Sequence, residues 1–423
     1  MSNNGTQKAI TKFLLHLHPP RVKAQAIKYT RTFGLGGIAA LLFVLLFITG
    51  LLLRFVYVPS EKGAYDSIVY LQKEVLFGQL LRNVHYWSGM LLVIVSFLHV
   101  IRVFYSQSIY QERRKNWLYG LLIMFLVIMS NFTGYLLPWD QLAYWAVTIM
   151  TNMLSYIPFI GDGMATLVRG GEEVNEETLL RFYNFHTGLL PLLMVFLMSI
   201  HFWLVRKAKG VTVADSTKSE MVPTNPNLVY KEVVVALSLI LLIFVFSMVV
   251  DAPLLGKANP LESPNPSKAP WYFMGFQELL MHLHPGFGIF IVPVLVTAFL
   301  IYIPYFKTEV NVGVWFNSDN GKKVTLWSIG YSILFTSFLI LGTEYFLKFQ
   351  QWLPDLPVLI TTGVVPLLLY VLPSYGFLMF LKKRFKADKI ELLMALVTIL
   401  LTAYLVMTFA GSVLRGEGMQ LFA

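Results

Sequence analysis

Nine long apolar runs, separated by polar or basic connections, limit what this chain can fold into. We place them at residues 33–57, 77–105, 117–137, 179–205, 233–250, 288–306, 324–346, 358–381 and 391–414. An α-helix needs about 20 apolar residues to cross the hydrocarbon core of a bilayer, and these runs are of that order. The sequence therefore predicts an all-α, polytopic membrane helical protein, with a four-helix bundle followed by about five further transmembrane helices.

Composition agrees with lipid as the main solvent. Of the 423 residues, 56% are hydrophobic and only 13% are charged, whereas about a quarter of an ordinary globular chain is charged. The chain has no cysteine, which excludes disulfides, thiolate zinc sites, iron–sulfur ligation and covalent haem attachment through cysteine. The polar, basic start and the long first apolar run argue against a cleavable signal peptide.

The basic residues predict the orientation of the chain. The net charge is +10, but lysine and arginine lie between the apolar runs and at their ends, so we expect no nucleic-acid partner. Clusters follow the even-numbered runs, at 113–115, 206–209, 322–323 and 382–384. Cytoplasmic loops are enriched in lysine and arginine. We therefore place these loops and the N-terminus on the cytoplasmic (n) side, and the C-terminus on the opposite (p) side.

Two of the apolar runs carry two histidines each. His85 and His99 are 14 residues apart, and His186 and His201 are 15 apart. On an α-helix either step returns to nearly the same face after about 21–22 Å. The two helices run in the same direction, so we predict that His85 pairs with His186 near the p side and His99 with His201 near the n side. Imidazole is a strong axial ligand of haem iron, and two stacked bis-histidine haems would use all four.

The alternative for each histidine is a hydrogen-bonded interior group. A single histidine on an apolar helix is more often of that kind. An ionisable side chain inside a membrane is costly, however, and is by default a functional candidate. Four of them at two matched spacings favour haem ligation.

Nearby cations and glycines fit the same hypothesis. Arg82 and Arg102 each lie one turn from a histidine, and with Arg206 they could bind haem propionates, although arginines at helix ends often extend to the membrane surface instead. The glycines that could make room for a flat macrocycle are Gly36, Gly37 and Gly50 in the first run and Gly120 and Gly134 in the third. Each run offers a pair 14 apart, the interval of the first histidine pair. Small residues in membrane helices also serve helix packing.

Several motifs together resemble cytochrome b of the bc-type quinol oxidoreductases. They are Arg82-Asn83-Val84-His85, His99-Val100-Ile101-Arg102, the stretch 133–141 that begins Thr133-Gly134-Tyr135, Ile157-Pro158-Phe159-Ile160-Gly161, Arg181 to His186, and Pro270-Trp271-Tyr272-Phe273. Residues 30–210 are most similar to the short, four-helix cytochrome b of bf-type complexes. Residues 225–310 resemble its companion subunit IV, fused here into one chain. The last two runs have no counterpart in that companion.

The resemblance implies a function and its partners. It implies two non-covalent b-type haems, quinol oxidation on the p side, electron transfer to quinone on the n side, and proton translocation by a Q cycle. The implied partners are a Rieske-type iron–sulfur protein, a c-type cytochrome, quinone and membrane lipid, in a homodimeric complex of the bacterial cytoplasmic membrane. Tyr135, Trp271 and Tyr272 are the implied quinol-site residues.

Two positions depart from the family pattern. The p-side motif of the family carries a proton-accepting glutamate where this chain has Pro270, and proline cannot take a proton. Glu278 lies in the same loop and is our candidate replacement; the alternative is a carboxylate hydrogen-bonded to backbone at the membrane interface. His282 and His284 are further possible p-side proton carriers. Gly34 replaces the bf-type cysteine that fixes an extra haem, so we predict no covalent haem in this chain.

The n-side quinone pocket has only weak candidates. They are Lys23, Lys28, Arg206, Lys207 and Asp215. The alternative for each is a solvated charge at the membrane surface.

The domain organisation follows from these assignments. We divide the chain into a basic surface arm (1–32), a dihaem cytochrome b domain (33–210) and a subunit IV-like domain (211–423) with a quinol-site loop at 251–287. Two other functions stay open. One is a dihaem, quinone-reactive anchor of a non-bifurcating dehydrogenase or multihaem cytochrome complex. The other is a transporter with proton-relaying histidines.

Overall fold

The computed structural model describes residues 19–214, 220–306 and 309–422. Within these ranges, nine helices are long and apolar enough to cross a membrane. We number them as spans 1 to 9: Leu35–Leu53, Gly78–Tyr105, Gln111–Leu136, Glu176–Lys207, Thr224–Val249, Phe287–Tyr305, Asp319–Tyr345, Ile360–Phe385 and Lys389–Leu414. The predicted all-α, polytopic membrane fold is confirmed.

Shorter elements connect the spans. The short helices are α1 (Tyr29–Thr32), α2 (Ala64–Lys73), α3 (Gln141–Met153), α4 (Gly161–Arg169), α5 (Trp271–His282) and α6 (Phe349–Trp352), with single 3₁₀ turns at Leu154–Tyr156 and Glu417–Met419. Two strands, β1 (Arg21–Lys23) and β2 (Met221–Pro223), pair antiparallel with Arg21 opposite Pro223. This pairing ties the described part of the N-terminal arm to the connection after span 4.

Several spans begin at a different residue from the apolar run that predicted them, because capping residues set where a helix starts. Span 7 begins at Asp319, five residues before its apolar run, since the Ser318 side chain accepts from the backbone N–H of Gly321. Span 9 begins at Lys389 behind a capping box between Asp388 and Glu391. Span 1 starts later than its run because Gly34 before it has a φ of +67°.

Contacts between connections show that the spans alternate in direction. Gly256, after span 5, accepts from the backbone N–H of Gln141, after span 3 (2.8 Å). Lys257 contacts Asp66, after span 1 (3.2 Å). At the other end, the backbone N–H of Gly313, after span 6, donates to the Ser106 carbonyl, after span 2 (3.0 Å). The connections after spans 1, 3, 5 and 7 lie on one face, which we call the p face. The opposite face is the n face.

Span 9 is an inner helix although it comes last in the chain. Its residues Met394, Ala395 and Ile399 are almost fully buried. Ile399 accepts a hydrogen bond from the Ser332 side chain in span 7 (2.8 Å). Tyr105, at the end of span 2, shares a hydrogen bond with Thr398 (2.6 Å). The last span therefore joins the two halves of the molecule and is not a peripheral addition.

Candidate functional site

The four histidines of spans 2 and 4 come together in two pairs. The ring centroids of His85 and His186 are 6.1 Å apart with an interplanar angle of 77°. Those of His99 and His201 are 6.4 Å apart at 74°. A metal–imidazole bond is about 2 Å long, as in zinc sites, so each separation suits one metal ion held between two ring nitrogens. The partners are those expected from the parallel direction of the two helices.

The extra residue between His186 and His201 is taken up by a π-helical segment, Phe185–Leu189. A π segment adds one residue to the local turn, so the 15-residue step of span 4 spans the same number of turns as the 14-residue step of span 2. The segment lies just before Pro191. Proline lacks the N–H that an α-helix needs and collides with the preceding turn, which favours the wider π turn here.

Each histidine faces a glycine on a neighbouring span. The pairs are Gly36 with His99, Gly50 with His85, Gly120 with His201, and Gly134 with His186. A Cβ added at Gly134 would lie 2.5 Å from His186 Cε1, and one added at Gly50 would lie 3.1 Å from His85 Cε1. A side chain at either position would displace the ring. Glycine removes that obstacle, so these positions form a cradle for the rings and for a flat group between them.

Gly37 differs from the other four glycines. A Cβ added there would meet no atom within 4 Å. Its predicted role beside a macrocycle therefore has no contact to support it in this structure.

Hydrogen bonds set the ring nitrogen that two of the histidines present. The Thr49 hydroxyl donates to the Leu45 carbonyl (2.8 Å) and lies 2.9 Å from His85 Nδ1. The hydroxyl proton of Thr49 is occupied by that bond, so the hydroxyl oxygen accepts a hydrogen bond from His85 Nδ1. His186 Nδ1 lies 2.9 Å from the Ser130 carbonyl oxygen and must donate as well. In both rings Nε2 is left with its lone pair, which is the arrangement of a metal-ligating histidine.

Thr49 and the Ser130 carbonyl were not predicted from the sequence. Thr49 directly precedes Gly50, which faces the His85 ring. A hydroxyl next to such a glycine was the sequence signal that could have identified Thr49. His201 Nδ1 is buried and has no hydrogen-bond partner among the described residues.

The predicted propionate-binding arginines occupy both ends of this site. Arg82, near His85, donates to the carbonyls of Ala252 (2.8 Å) and Pro253 (2.6 Å) after span 5. Arg102, near His99, is buried and donates through Nε to the Arg31 carbonyl (2.9 Å). Arg206 lies in the last turn of span 4, at the same n-face end. The structure thus gives Arg82 a backbone-anchoring contact that the sequence did not predict.

The n-side quinone candidates within the described residues lie on the n face, in different elements. Lys23 is in β1, Lys28 precedes α1, and Lys207 Nζ lies over the Trp203 ring at 5.1 Å. Asp215 lies outside the described residues, as does the arm before Pro19.

The predicted quinol-site residues lie on the p face at the start of α5. Pro270 occupies the position before the first turn of this helix. Tyr272 is buried, and its hydroxyl has no hydrogen-bond partner among the described residues. Burial, with a smaller effect of the neighbouring Tyr135, raises the pKa of Tyr272, so the phenol stays protonated. Trp271 is 40% exposed and donates to Met90 Sδ (3.4 Å).

A narrow apolar groove runs between α3 and α5. Its walls are formed by Ala146, Ile149, Met150 and Met153 on α3, with Lys268, Ala269, Phe276 and Gln277 on the other side. Apolar grooves with a few polar groups are typical of small-molecule sites. The groove faces the side of α5 that carries Phe276 and Gln277.

Glu278 faces away from this groove, toward span 9. Its side chain is fully buried and receives two hydrogen bonds from Arg415, at 2.8 and 2.7 Å. His282 Nε2 lies 3.0 Å from the same carboxylate. Burial would raise the pKa of Glu278, but the bonds from His282 and Arg415 outweigh it and lower the pKa. The Glu278 carboxylate therefore bonds to side chains. The alternative drawn from the sequence, a carboxylate hydrogen-bonded to backbone, does not describe it.

Arg415 was not predicted as a site residue. It is a single basic residue at the p-face end of span 9, where the charge bias leads one to expect few cations.

Comparison with known proteins gives the family. The family model for cytochrome b/b6/petB matches residues 22–209. Cytochrome b6 of Prochlorococcus marinus (strain NATL1A) is 42% identical over 173 residues, which are 41% of this chain and 79% of the relative. Cytochrome b6 of Synechococcus sp. (strain WH7803) gives the same figures.

A solved structure extends the fold likeness to the rest of the chain. A chain of the hyperthermophilic respiratory Complex III superposes with a TM-score of 0.69 at 21% sequence identity, and covers 97% of this chain and 99% of that one. The b6-like region contains both histidine pairs and the glycines that face them. The chain is therefore a member of the cytochrome b/b6 family, continued by five further spans.

Proposed function

We propose that this chain is the membrane cytochrome b subunit of a bc-type complex that oxidises quinol on the p face and reduces quinone on the n face in a Q cycle with proton translocation. The observation that carries the proposal is the pair of facing histidines at each of two heights on spans 2 and 4. A dihaem anchor would have no use for the long p-face connection that carries Pro270, Trp271 and Tyr272. That connection favours quinol oxidation within this chain.

The residues present fit two b-type haems. His85 with His186, and His99 with His201, would supply the nitrogen ligands that hold them, and the facing glycines leave space for a planar group. The free lone pair on Nε2 of His85 and His186 is the donor that iron requires. When bound, two haems supply one-electron carriers at two depths of the membrane.

Cations on the n face suit the anionic edge of such a group. Arg102 donates to the Arg31 carbonyl (2.9 Å), which brings these two basic residues together. Arg113 donates to the carbonyls of Ala208 and Gly210, both at 2.7 Å, which fixes its guanidinium at the end of span 4. Like charges held together in a partly buried place favour an anion between them. Arg102 and Arg206 are our candidates for propionate contacts there, and Arg82 is the candidate at the p face.

On the p face, Tyr272 is the group that we place against a quinol oxygen. Its hydroxyl is buried and has no partner in the part of the chain that the structure describes, and an unpaired buried polar group is costly unless a ligand or water satisfies it. Tyr135 lies near enough to affect it. Glu278 stays a hypothesis as proton acceptor, because its carboxylate is paired with Arg415 on the opposite side of α5.

The partners and the membrane remain those that the family implies. We propose a Rieske-type iron–sulfur protein and a c-type cytochrome on the p face, a homodimeric complex, and the bacterial cytoplasmic membrane with the N-terminus in the cytoplasm. The exposed apolar faces of spans 4 and 5, which carry Leu192, Phe196, Leu237 and Leu241, suit lipid or a second membrane subunit.

Spectra and haem counts of the purified complex test the proposal. We expect b-type bands in the reduced-minus-oxidised spectrum, two haems per chain, and quinol oxidation. His99→Leu should lower the count to one while quinol still binds at the p face, because only the n-side pair loses a ligand. His284→Gln is the control for the haem count alone, since His284 lies outside the spans. A spectrum without b-type bands, or a count of two in His99→Leu, would contradict the proposal.

A further inference from the structure

We infer that span 9 holds the quinol-site helix α5 in its working position through Arg415, so that the last span is part of the quinol-oxidising site. The inference rests on the proposed function for its activity readout. It concerns four side chains that we call the Arg415 clamp: Glu278 and His282 of α5, Glu344 of span 7, and Arg415 itself.

The clamp joins three elements in a buried place. Arg415 Nε and Nη2 bond to the two carboxylate oxygens of Glu278, at 2.8 and 2.7 Å. Nη2 also bonds to Glu344 at 3.1 Å, and Nη1 donates to the Met419 carbonyl at 2.7 Å. The side chains of Glu278 and Arg415 are both fully buried. A two-pronged arginine–carboxylate pair fixes orientation as well as distance.

His282 extends the clamp to span 7. The Thr343 hydroxyl donates to the Leu339 carbonyl (2.7 Å), so it accepts a hydrogen bond from His282 Nδ1 (2.8 Å). This bond turns Nε2 toward Glu278, 3.0 Å away, and because Nδ1 already donates to Thr343, Nε2 donates to the carboxylate only in the imidazolium form. The C-terminal end of α5 is therefore held by both of the spans that it packs against.

The N-terminal end of α5 is also attached to span 9. The Tyr404 hydroxyl donates to the backbone carbonyl of Tyr272 at 2.6 Å. Tyr272 is the residue whose side-chain hydroxyl we place against quinol, so span 9 contacts the backbone of a proposed quinol ligand directly.

Glycines bring the two helices into close contact along this length. A Cβ added at Gly275 of α5 would lie 2.5 Å from Thr408 Oγ1 and 2.8 Å from the Tyr404 carbonyl oxygen. A Cβ added at Gly411 of span 9 would lie 2.8 Å from Met274 Cε. With glycine on both helices, α5 cannot shift along span 9 without losing these contacts or the ion pair.

The clamp acts by position and not by contact with the substrate. Gln277 and Phe276 line the groove, whereas Glu278 faces span 9. Removing one member of a buried ion pair leaves an uncompensated charge, and the helix would move to let water reach it. Displacing a bound group by about 1 Å can slow an enzyme roughly a hundredfold. We therefore class Arg415 and Glu278 as positioning residues.

The test compares charge variants of the purified complex. Arg415→Gln should leave two b-type haems, raise the KM for quinol and lower kcat, together reducing kcat/KM by roughly tenfold to a hundredfold. Arg415→Lys should recover part of the loss because it keeps the charge but not the fork. The double variant Glu278→Gln/Arg415→Gln should be no worse than Arg415→Gln, since it removes the unpaired buried charge of Glu278, while the partly exposed Glu344 loses its partner in both variants alike. Glu417→Gln, an exposed position two residues away, is the matched control and should behave as the unaltered complex.

A smaller substitution keeps the test valid if the Arg415→Gln complex fails to assemble. Tyr404→Phe removes only the hydroxyl that bonds to the Tyr272 carbonyl, and we expect a severalfold rise in KM with little change in haem content. Hydrogen exchange of the α5 amides gives a readout that does not depend on activity, and it should quicken in Arg415→Gln and in Tyr404→Phe. Unchanged exchange and unchanged kinetics in both would overturn the clamp. If the unaltered complex oxidises no quinol while exchange still quickens, the clamp stands and the proposed function falls.

Discussion

At the scale of single residues, glycines decide whether the histidine rings can occupy their places. Gly134 is the tightest case, since a Cβ there would lie 2.5 Å from His186 Cε1, closer than non-bonded carbon atoms approach. The small residue is required by the neighbouring ring and not by backbone conformation. Gly37 differs, because it has open space beside it and no neighbouring ring requires a glycine there.

Gly134→Val should therefore remove the p-side histidine pair as a haem site. The added side chain would push His186 away from His85, so we expect one b-type haem per chain instead of two, measured by haem extraction against protein content. Gly330→Ala is the matched control, because a Cβ at Gly330 in span 7 would meet nothing within 4 Å. A full haem count in Gly134→Val would mean that the ring does not need this space.

The pairing of Glu278 predicts how acid affects stability. The folded-state pKa is lowered, below an unfolded-state value of about 4.3. The stability that the ionised carboxylate contributes is therefore present above that value and is lost as pH falls through the folded pKa. Breaking a buried pair of this kind costs about 3–5 kcal/mol.

Thermal unfolding of the complex in detergent measures this contribution. The difference in Tm between the unaltered chain and Glu278→Gln should be present at neutral pH and should shrink in acid as the pH falls through the carboxyl pKa. Glu417→Gln should show no such pH-dependent difference. The same Glu278→Gln variant tests the proton role. Slower quinol oxidation with a shifted pH profile supports a proton acceptor, whereas slower oxidation with an unshifted profile supports positioning alone.

At the scale of elements, one π segment of the described spans, Ala410–Leu414, is followed by no proline, whereas the other three share a cause. Those at Phe185–Leu189, Phe287–Ile291 and Ile360–Val364 each end two residues before a proline, namely Pro191, Pro293 and Pro366. A proline removes an N–H from the helix and crowds the carbonyl one turn earlier. The wider turn relieves both effects. In span 4 it also corrects the histidine spacing.

Two single-residue deletions in span 4 distinguish this explanation from chance. Deleting Gly188 removes a residue from the π segment, so the histidine step becomes 14 residues of ordinary helix, as in span 2, and both haems should remain. Deleting Ser199 keeps the π segment and shortens the helix by one residue, which rotates His201 by about 100° relative to His186. That variant should lose a haem. Equal haem counts in the two deletion variants would refute the role of the π segment.

At the scale of the whole molecule, the nine spans of the described residues place Pro19 and Phe422 on opposite faces of the bundle. The Arg415 contact with Glu278 puts the end of span 9 on the p face with α5, and the pairing of β1 with β2 puts the described part of the arm on the n face. The charge bias predicts that the n face is cytoplasmic.

Reporter fusions test that assignment. Alkaline phosphatase, which is active only outside the cytoplasm, should be active when fused after residue 422 and inactive when fused after Lys386, between spans 8 and 9. A fluorescent protein that folds only in the cytoplasm should give the opposite result at the same two positions. Activity of the phosphatase at both positions, or at neither, would contradict a ninth crossing.

The sequence alone determined the features that depend on one segment at a time. Apolar length gave the spans, charge placement gave their predicted direction, and the spacing of His85, His99, His186 and His201 gave the pairing, because each follows from the period of a helix or the thickness of a bilayer. Tertiary structure alone decided that Arg415 reaches Glu278, 137 residues earlier. It also decided that Glu278 turns from the groove and that span 9 is an inner helix. These depend on which helices pack together, and helix packing in lipid is set by close steric fit between distant segments, which hydropathy and periodicity do not encode.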